Sequence, residues 1–158
     1  MNISKEAYQV LESIVGSEYI SDDPVVCEGY RTGPGGYECG LGYERLMTLI
    51  PACVIMPNST EEVQKIVRYA NNNKIPIVPR GAGSGTSGHT VPIDGGIILD
   101  MKRMNRILEI KPEDMLVKVE PGVVDDDLNK ALKPLGLFYP PAPASSRIAT
   151  VGGEIAAN

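Results

Sequence analysis

The stretch Pro79–Pro92 reads PRGAGSGTSGHTVP and concentrates glycines, hydroxyl side chains, one arginine and the chain's only histidine. Gly81, Gly83, Gly85 and Gly88 permit positive φ angles, so successive backbone N–H groups can turn toward one concave point. Ser84, Thr86 and Ser87 add hydroxyl donors, and Arg80 adds positive charge. A diphosphate needs all three, so anion binding is the expected chemistry; a purely structural loop is the alternative. His89 has no second histidine in the chain and no partner acid beside it, and reads as a polar loop residue rather than a base.

Gly83-x-Gly85-x-x-Gly88 also matches the G-x-G-x-x-G dinucleotide fingerprint, but its context is wrong. In a Rossmann unit the third glycine lies in the opening turn of a helix whose N-terminus holds the pyrophosphate. Here HTVPIDGG follows, and Pro92 with Gly95-Gly96 leaves no room for a helix. The absence of a following lysine excludes a G-x-x-x-x-G-K phosphate loop. A second stretch, PPAPASSRIATVGGEIAAN (140–158), carries similar chemistry: stiffening prolines, hydroxyls at Ser145, Ser146 and Thr150, and close-approach glycines at Gly152 and Gly153. Two such loops, each after a strand-like segment, read as opposite walls of one cleft for an extended phosphate ligand.

The elements that must position these loops are legible from periodicity. Ser4 can cap a helix bearing Tyr8, Leu11, Ile14 and Val15, stopped by Gly16. Residues 17–50 show no clean period and read as a long surface excursion, a loop that packs over its neighbours through Tyr30, Tyr37 and Tyr43. ACVIM (52–56) is a strand, Ser59-Thr-Glu-Glu62 is a capping box, and Val63, Ile66, Val67 and Ala70 continue a helix. IPIVP (75–79) is the next strand, giving a β-α-β unit that favours parallel pairing. Further strands are expected at 95–101, 106–110 and 115–122. A helix led by Asp125–Asp127 follows, then a strand-like LFYPP and a final loop.

Composition bounds the class. A chain of 158 residues can bury a core, and its glycines and prolines are dispersed as turn punctuation rather than collected in a disordered tract. The net charge of -5 argues against a nucleic-acid or anionic-membrane surface. No long apolar run or signal-peptide pattern occurs, so the cytoplasm is the default location. Cys27, Cys39 and Cys53 lack metal-ligand spacing, and no metal is expected.

With these motifs in order, PRGAGSGTSG, GGIILDMKRMNRILEI, VKVEPGV and PPAPASSRIATVGG, the chain resembles the FAD-binding domain of the vanillyl-alcohol oxidase / p-cresol methylhydroxylase (PCMH-type) superfamily. The resemblance covers residues 48–158 and is nearest the glycolate oxidase D-subunit and D-lactate dehydrogenase branch; the Gly/Tyr-rich residues 17–47 depart from it. It implies an α+β fold of two small subdomains with FAD between them. The extension would be 1–50, the first subdomain 51–104, and the second 105–158. It places the pyrophosphate loop on Arg80, Gly81, Ala82, Gly83, Ser84, Gly85, Ser87 and Gly88. A second flavin-contacting stretch falls on Pro141, Ser145, Ser146, Thr150, Gly152, Gly153 and Asn158, with Gly122 near the cofactor. The family often has Asp and Asn where this chain has Ala142 and Glu154, so those two side-chain contacts are not carried over. Relatives with covalent flavin use a histidine at the position of Ser84; non-covalent FAD is therefore implied.

The resemblance further implies oxidation of a small 2-hydroxy acid, with an electron-acceptor protein or quinone as second partner. Catalytic side chains would lie in a cap domain beyond Asn158, so none is assigned here. The second subdomain is then expected to be incomplete, FAD retention weak, and self-association through exposed apolar surface plausible. The alternatives are a non-catalytic flavin, nucleotide or protein-binding module, or a cell-wall UDP-sugar enolpyruvate reductase on the same cofactor fold.

Overall fold

In the computed structural model residues 3–33, 40 and 42–157 are described. The first helix, α1 (Lys5–Val15), begins where the Ser4 hydroxyl accepts a bond from the Ala7 N–H at 3.1 Å and ends at Gly16, φ 87°. Its buried residues, Ala7, Leu11 and Val15, recur every four positions and form one stripe.

Four strands make the main sheet: β1 (Ile20–Ser21), β2 (Cys53–Ile55), β3 (Ile77–Arg80) and β4 (Ile97–Asp100), in the order β1-β2-β4-β3. β1 is antiparallel to β2, while β2 and β3 each run parallel to β4, with Val54 and Val78 both opposite Ile98. The β-α-β reading is therefore right in direction, but its two strands are not neighbours, since β4 inserts between them. All of Ile97–Asp100 is buried, as a central parallel strand requires.

Each face of this sheet has its own cover. Cys53, Ile55, Ile97 and Leu99 pack on Leu11 and Val15 of α1 and on Ile66 and Ala70 of the helix Thr60–Asn72. That helix starts as its capping box predicts: the Ser59 hydroxyl accepts from the Glu62 N–H (3.1 Å), and the Glu62 carboxylate accepts from the Asn58 N–H (2.8 Å). On the other face Val54 and Ile98 meet Cys27, with Tyr30 and Val78 at the margin.

Cys27 belongs to a short helix, α2 (Pro24–Gly29), in a region expected to be surface loop. Asp23 caps it by accepting from the Val25 and Val26 N–H groups, and Pro24 opens it. A one-turn helix, α3 (Tyr43–Leu46), precedes β2, so the 60–72 helix is α4. Residues 17–50 are thus structural cover for the sheet in the parts described, not an excursion. Tyr37 and Cys39, named in the sequence reading, lie outside the described residues.

The second sheet is the antiparallel hairpin β5 (Ile107–Lys111) and β6 (Leu116–Val119), with a register shift between Ile107 and Glu109. Helix α5 (Asp125–Leu132) lays Leu128 and Leu132 across it, joined by Val123 and Val151. At the open end of the hairpin the Glu120 carboxylate accepts from the Arg106 main-chain N–H (2.8 Å) and from its guanidinium Nε (3.0 Å). LFYPP is not a strand: Leu137 and Tyr139 pack inward from irregular chain. The final segment also differs from expectation, because Val151–Ala157 forms a helix, α6. Among the described residues no helix is long and apolar enough to cross a membrane, and no group of three or more His, Cys, Asp or Glu is placed to hold a metal ion.

Ile66 is fully buried between α4 and the sheet. Replacing it with alanine is expected to cost about 2–5 kcal/mol of unfolding free energy in urea titration, against little change for the exposed Val67→Ala on the same helix.

Candidate functional site

Because β3 and β4 are parallel neighbours with no helix between them, residues 81–96 must carry the chain from the end of one strand to the start of the next. The glycine loop is the first half of this crossover. Only Gly83 (φ 69°) and Gly88 (φ 74°) use the left-handed region. Gly81 is required for space instead: a β-carbon there would run into the Thr150 hydroxyl of the second loop.

Arg80 does not reach outward. It is buried, and its guanidinium donates to the main-chain carbonyls of Tyr30 (3.3 Å) and Thr32 (3.3 Å) and to the Thr90 hydroxyl (3.5 Å). The group lies 5.2 Å from the centroid of the Tyr30 ring. A side chain on Gly83 would collide with it, so that glycine bends the loop around the cation. Burial pulls the Arg80 pKa below the usual arginine value, and nearby Tyr30 and Asp100 oppose that shift.

No acceptor among the described residues takes the main-chain N–H groups of residues 82–89. Main-chain donors of a folded loop normally find partners in protein, water or ligand. Gly85, Thr86 and Ser87 are exposed, Ser84 and Gly88 half-buried, and Gly83 buried. The loop's amides thus meet no acceptor among the described residues, while its one cation is turned inward. His89 is exposed.

The second loop is fastened to the chain around Gly122. Asp126 N–H donates to the Ser146 carbonyl (3.3 Å), Asp125 N–H to Ala149 (3.0 Å), Val151 N–H to Val123 (2.9 Å) and Gly152 N–H to Pro121 (2.9 Å). Gly122 itself donates to the Met104 carbonyl at 2.7 Å and sits where a β-carbon would strike the Met101 carbonyl. A β-carbon on Gly152 would come within 2.8 Å of the Pro121 carbonyl. These glycines allow three chain segments to approach closely.

The two loops meet. Ser145 donates its hydroxyl proton to the Ser84 hydroxyl at 3.2 Å, and Gly81 faces Thr150. Beside this contact lies a recess of about 220 Å³ lined by Gly122, Ile148 and Thr150, with Lys102 and Asn105 across it. The Thr150 hydroxyl is buried without a partner. Of the residues singled out from sequence, Gly81, Gly83, Ser84, Ser145 and Thr150 form one junction, and Gly122, Gly152 and Gly153 border it. Ala82 is half-buried in the first loop. Ser146 serves its own loop's backbone, Pro141 is exposed away from these contacts, and Asn158 lies outside the described residues. The open amides, the orphaned Thr150 hydroxyl and the glycine-to-hydroxyl approach suit a diphosphate-bearing ligand.

Sequence reasoning missed the wall behind the loop. The Tyr30 hydroxyl donates to the Asp100 carboxylate at 2.6 Å, and a β-carbon on Gly33 would strike the Gly83 carbonyl. Only the aromatic and glycine content of residues 30–33 hinted at this, and their separation from the loop hid the pairing. It also missed an acidic problem at the start of α6. Both Glu154 carboxylate oxygens are buried without a bond of standard geometry, beside Asp125 and Tyr139. Burial, then the Asp125 charge, raises the Glu154 pKa above the ordinary carboxylate value.

Comparison with known proteins follows the same lines. A family model described as an FAD binding domain matches residues 51–158. The glycolate oxidase subunit GlcD of Bacillus subtilis (strain 168) is 44% identical over 109 residues, covering 69% of this chain and 23% of that protein. The D-lactate dehydrogenase of Anaerostipes hadrus is 42% identical over 108 residues, covering 68% of this chain and 22% of that protein. The chain thus spans less than a quarter of the length of these two relatives. A substrate-bound p-cresol methylhydroxylase superposes with a TM-score of 0.74 at 24% identity, over 95% of this chain and 28% of that one, which shows the shared PCMH-type fold.

Two expectations follow from the junction. Gly81→Ala should lower stability by about 1–3 kcal/mol through overpacking, and Thr150→Ala should recover part of that loss in the double variant, read by chemical denaturation. A raised folded pKa means that Glu154 contributes its full stability below the ordinary value of 4.5 and loses it as pH rises through the folded value. Glu154→Gln should therefore raise Tm more at neutral pH than near pH 4.5 in thermal scans; an equal gain at both would contradict the burial argument.

Proposed function

The chain belongs to the FAD binding domain family, and from that membership we propose that residues 81–88 and 145–153 hold the diphosphate of a dissociable FAD between them. The observation that carries this reading is the set of amides on residues 82–89 that meet no acceptor among the described residues, joined to the second loop through Ser84 and Ser145. Gly83, Ser84, Gly85, Ser87 and Gly88 would supply main-chain and hydroxyl donors to the phosphates. Thr150 would supply its unpartnered hydroxyl, and Gly122, Gly152 and Gly153 would let the backbone approach. Ser84 stands where covalent attachment would need a nucleophilic ring nitrogen, so the cofactor is held without a bond to carbon. In this reading 51–104 and 105–158 are the two subdomains, and the cofactor lies where they meet.

The substrate class we assign to the whole protein is a small 2-hydroxy acid of glycolate or D-lactate type, following the named relatives. FAD, when bound, supplies the hydride acceptor; the protein supplies binding and orientation. Arg80 is turned inward, and His89 is exposed on the loop with no partner acid beside it in sequence. The described residues therefore orient the cofactor and leave substrate binding and proton removal to other groups. The buried free thiols Cys27 and Cys53, the latter pushed up to about 12 by burial, fit a reducing compartment, and we place the protein in the cytoplasm.

Titration of flavin fluorescence with the purified chain tests the cofactor reading. We expect saturable quenching by FAD binding, competed by ADP, which carries the diphosphate without the flavin. A flavin signal that stays unperturbed at saturating chain concentration would sink the reading.

A further inference from the structure

We propose that the segment Tyr30–Gly33 is a brace that sets the conformation of the glycine loop, and that Arg80 is the pin of this brace rather than a phosphate ligand. This inference rests on the cofactor reading above for its functional meaning, but its structural content stands on separate contacts.

The crossover leaves β3 at Arg80, and its partner strand ends at Asp100; these two residues are direct neighbours across the β3–β4 ladder. Tyr30 touches both. Its hydroxyl donates to Asp100 Oδ2, which also takes the Lys102 ammonium at 3.0 Å, while Asp100 Oδ1 takes the Lys102 main-chain N–H at 2.9 Å. Its ring lies beside the Arg80 guanidinium, and its carbonyl accepts from Arg80 Nη1. Asp100 has no exposed surface, so these bonds are its contacts in place of solvent. Tyr30 in turn is held protonated, chiefly by burial and by the Asp100 bond, which raises its pKa above the ordinary 10.0.

The side-chain bonds that Arg80 makes run to the segment 30–32 and to Thr90. Its Nη1 and Nη2 donate to the Tyr30 and Thr32 carbonyls, and turning them toward a phosphate would give up both bonds. The loop is shaped around the result. Gly83 adopts its positive φ with the guanidinium filling the side-chain space, and the Gly83 carbonyl rests against the α-carbon of Gly33. Cation, ring and glycine contact together hold the loop, whose amides at residues 82–89 meet no acceptor among the described residues.

The test compares Gly33→Ala, Tyr30→Phe and Arg80→Lys with the wild-type chain by two readouts. The first is the ¹⁵N order parameter of the amides of residues 81–88. We expect values of about 0.85 in the wild type and below about 0.6 in Gly33→Ala, with α4 and β4 unchanged. The second is FAD affinity. If the competent loop fraction falls to about one tenth, the dissociation constant rises about tenfold. Arg80→Lys keeps the charge but lacks the planar fork, and should weaken FAD binding by a similar factor. Tyr30→Phe keeps the ring, loses only the Asp100 bond, and should fall between. Unchanged loop order in Gly33→Ala, or wild-type FAD affinity in Arg80→Lys, would overturn the brace. A loop that loosens in Gly33→Ala within a chain that leaves flavin fluorescence unperturbed supports the brace and overturns the cofactor reading instead.

Discussion

Both β2 and β3 hydrogen-bond to β4, and most of the molecule follows from that pairing. A strand with parallel neighbours on both sides must be apolar on both faces, which Ile97, Ile98 and Leu99 satisfy. Each neighbour must then be reached by a crossover long enough to return along the strand. Between β2 and β3 that distance is covered by α4. Between β3 and β4 it is covered by residues 81–96 without a helix, so the main-chain donors of residues 82–89 lack helical partners and meet no acceptor among the described residues. The candidate site is thus a consequence of how the sheet is wired.

The same wiring explains which parts were legible in the sequence. α1, α4 and α5 announce themselves through caps and periodic apolar residues, because helix physics is local. The strands were readable as short apolar runs, but not their order: nothing in IPIVP or GGIILDM says that the second lies between the first and ACVIM. The two-residue β1 is too short for any period to show. α2 did carry a local signal in Asp23-Pro24, overridden by the glycines that follow. LFYPP looked like a strand because its apolar residues pack inward, yet its prolines leave it without ladder bonds. The loop's glycines were recognised as a group, but their separate duties were not: Gly83 serves φ, Gly81 serves space, and only neighbours distant in sequence decide which.

Buried charge is handled differently in the two sheets. In the first, Asp100 has its carboxylate bonded by Tyr30 and by Lys102. At the hairpin, Glu120 is answered by Arg106. Near α6 the accounts do not close: Asp125 Oδ1 accepts from Asn129, its Oδ2 is orphaned, and Glu154 faces it without a cation. Burial, then the Asp125 charge, raises the Glu154 pKa, so the pair destabilises the ionised form of Glu154.

Each wall of the junction is rigid for its own reasons before the walls touch. The first is held by Arg80 and the segment beneath it; the second is zipped by main-chain bonds to residues 121–126. Between them the contact is narrow, one hydroxyl pair and one glycine against one threonine. Such a junction contributes little cohesion, and its value lies elsewhere. A ligand that spans both loops finds donors already placed, so little ordering entropy is lost on association, which is the condition under which a few hydrogen bonds suffice for affinity. The G-x-G-x-x-G pattern in the first loop is then accidental as a Rossmann signature. Its Gly83 answers to a guanidinium, while Gly81 just before the pattern answers to a threonine, and the helix N-terminus that gives that signature its usual meaning has no part in this loop.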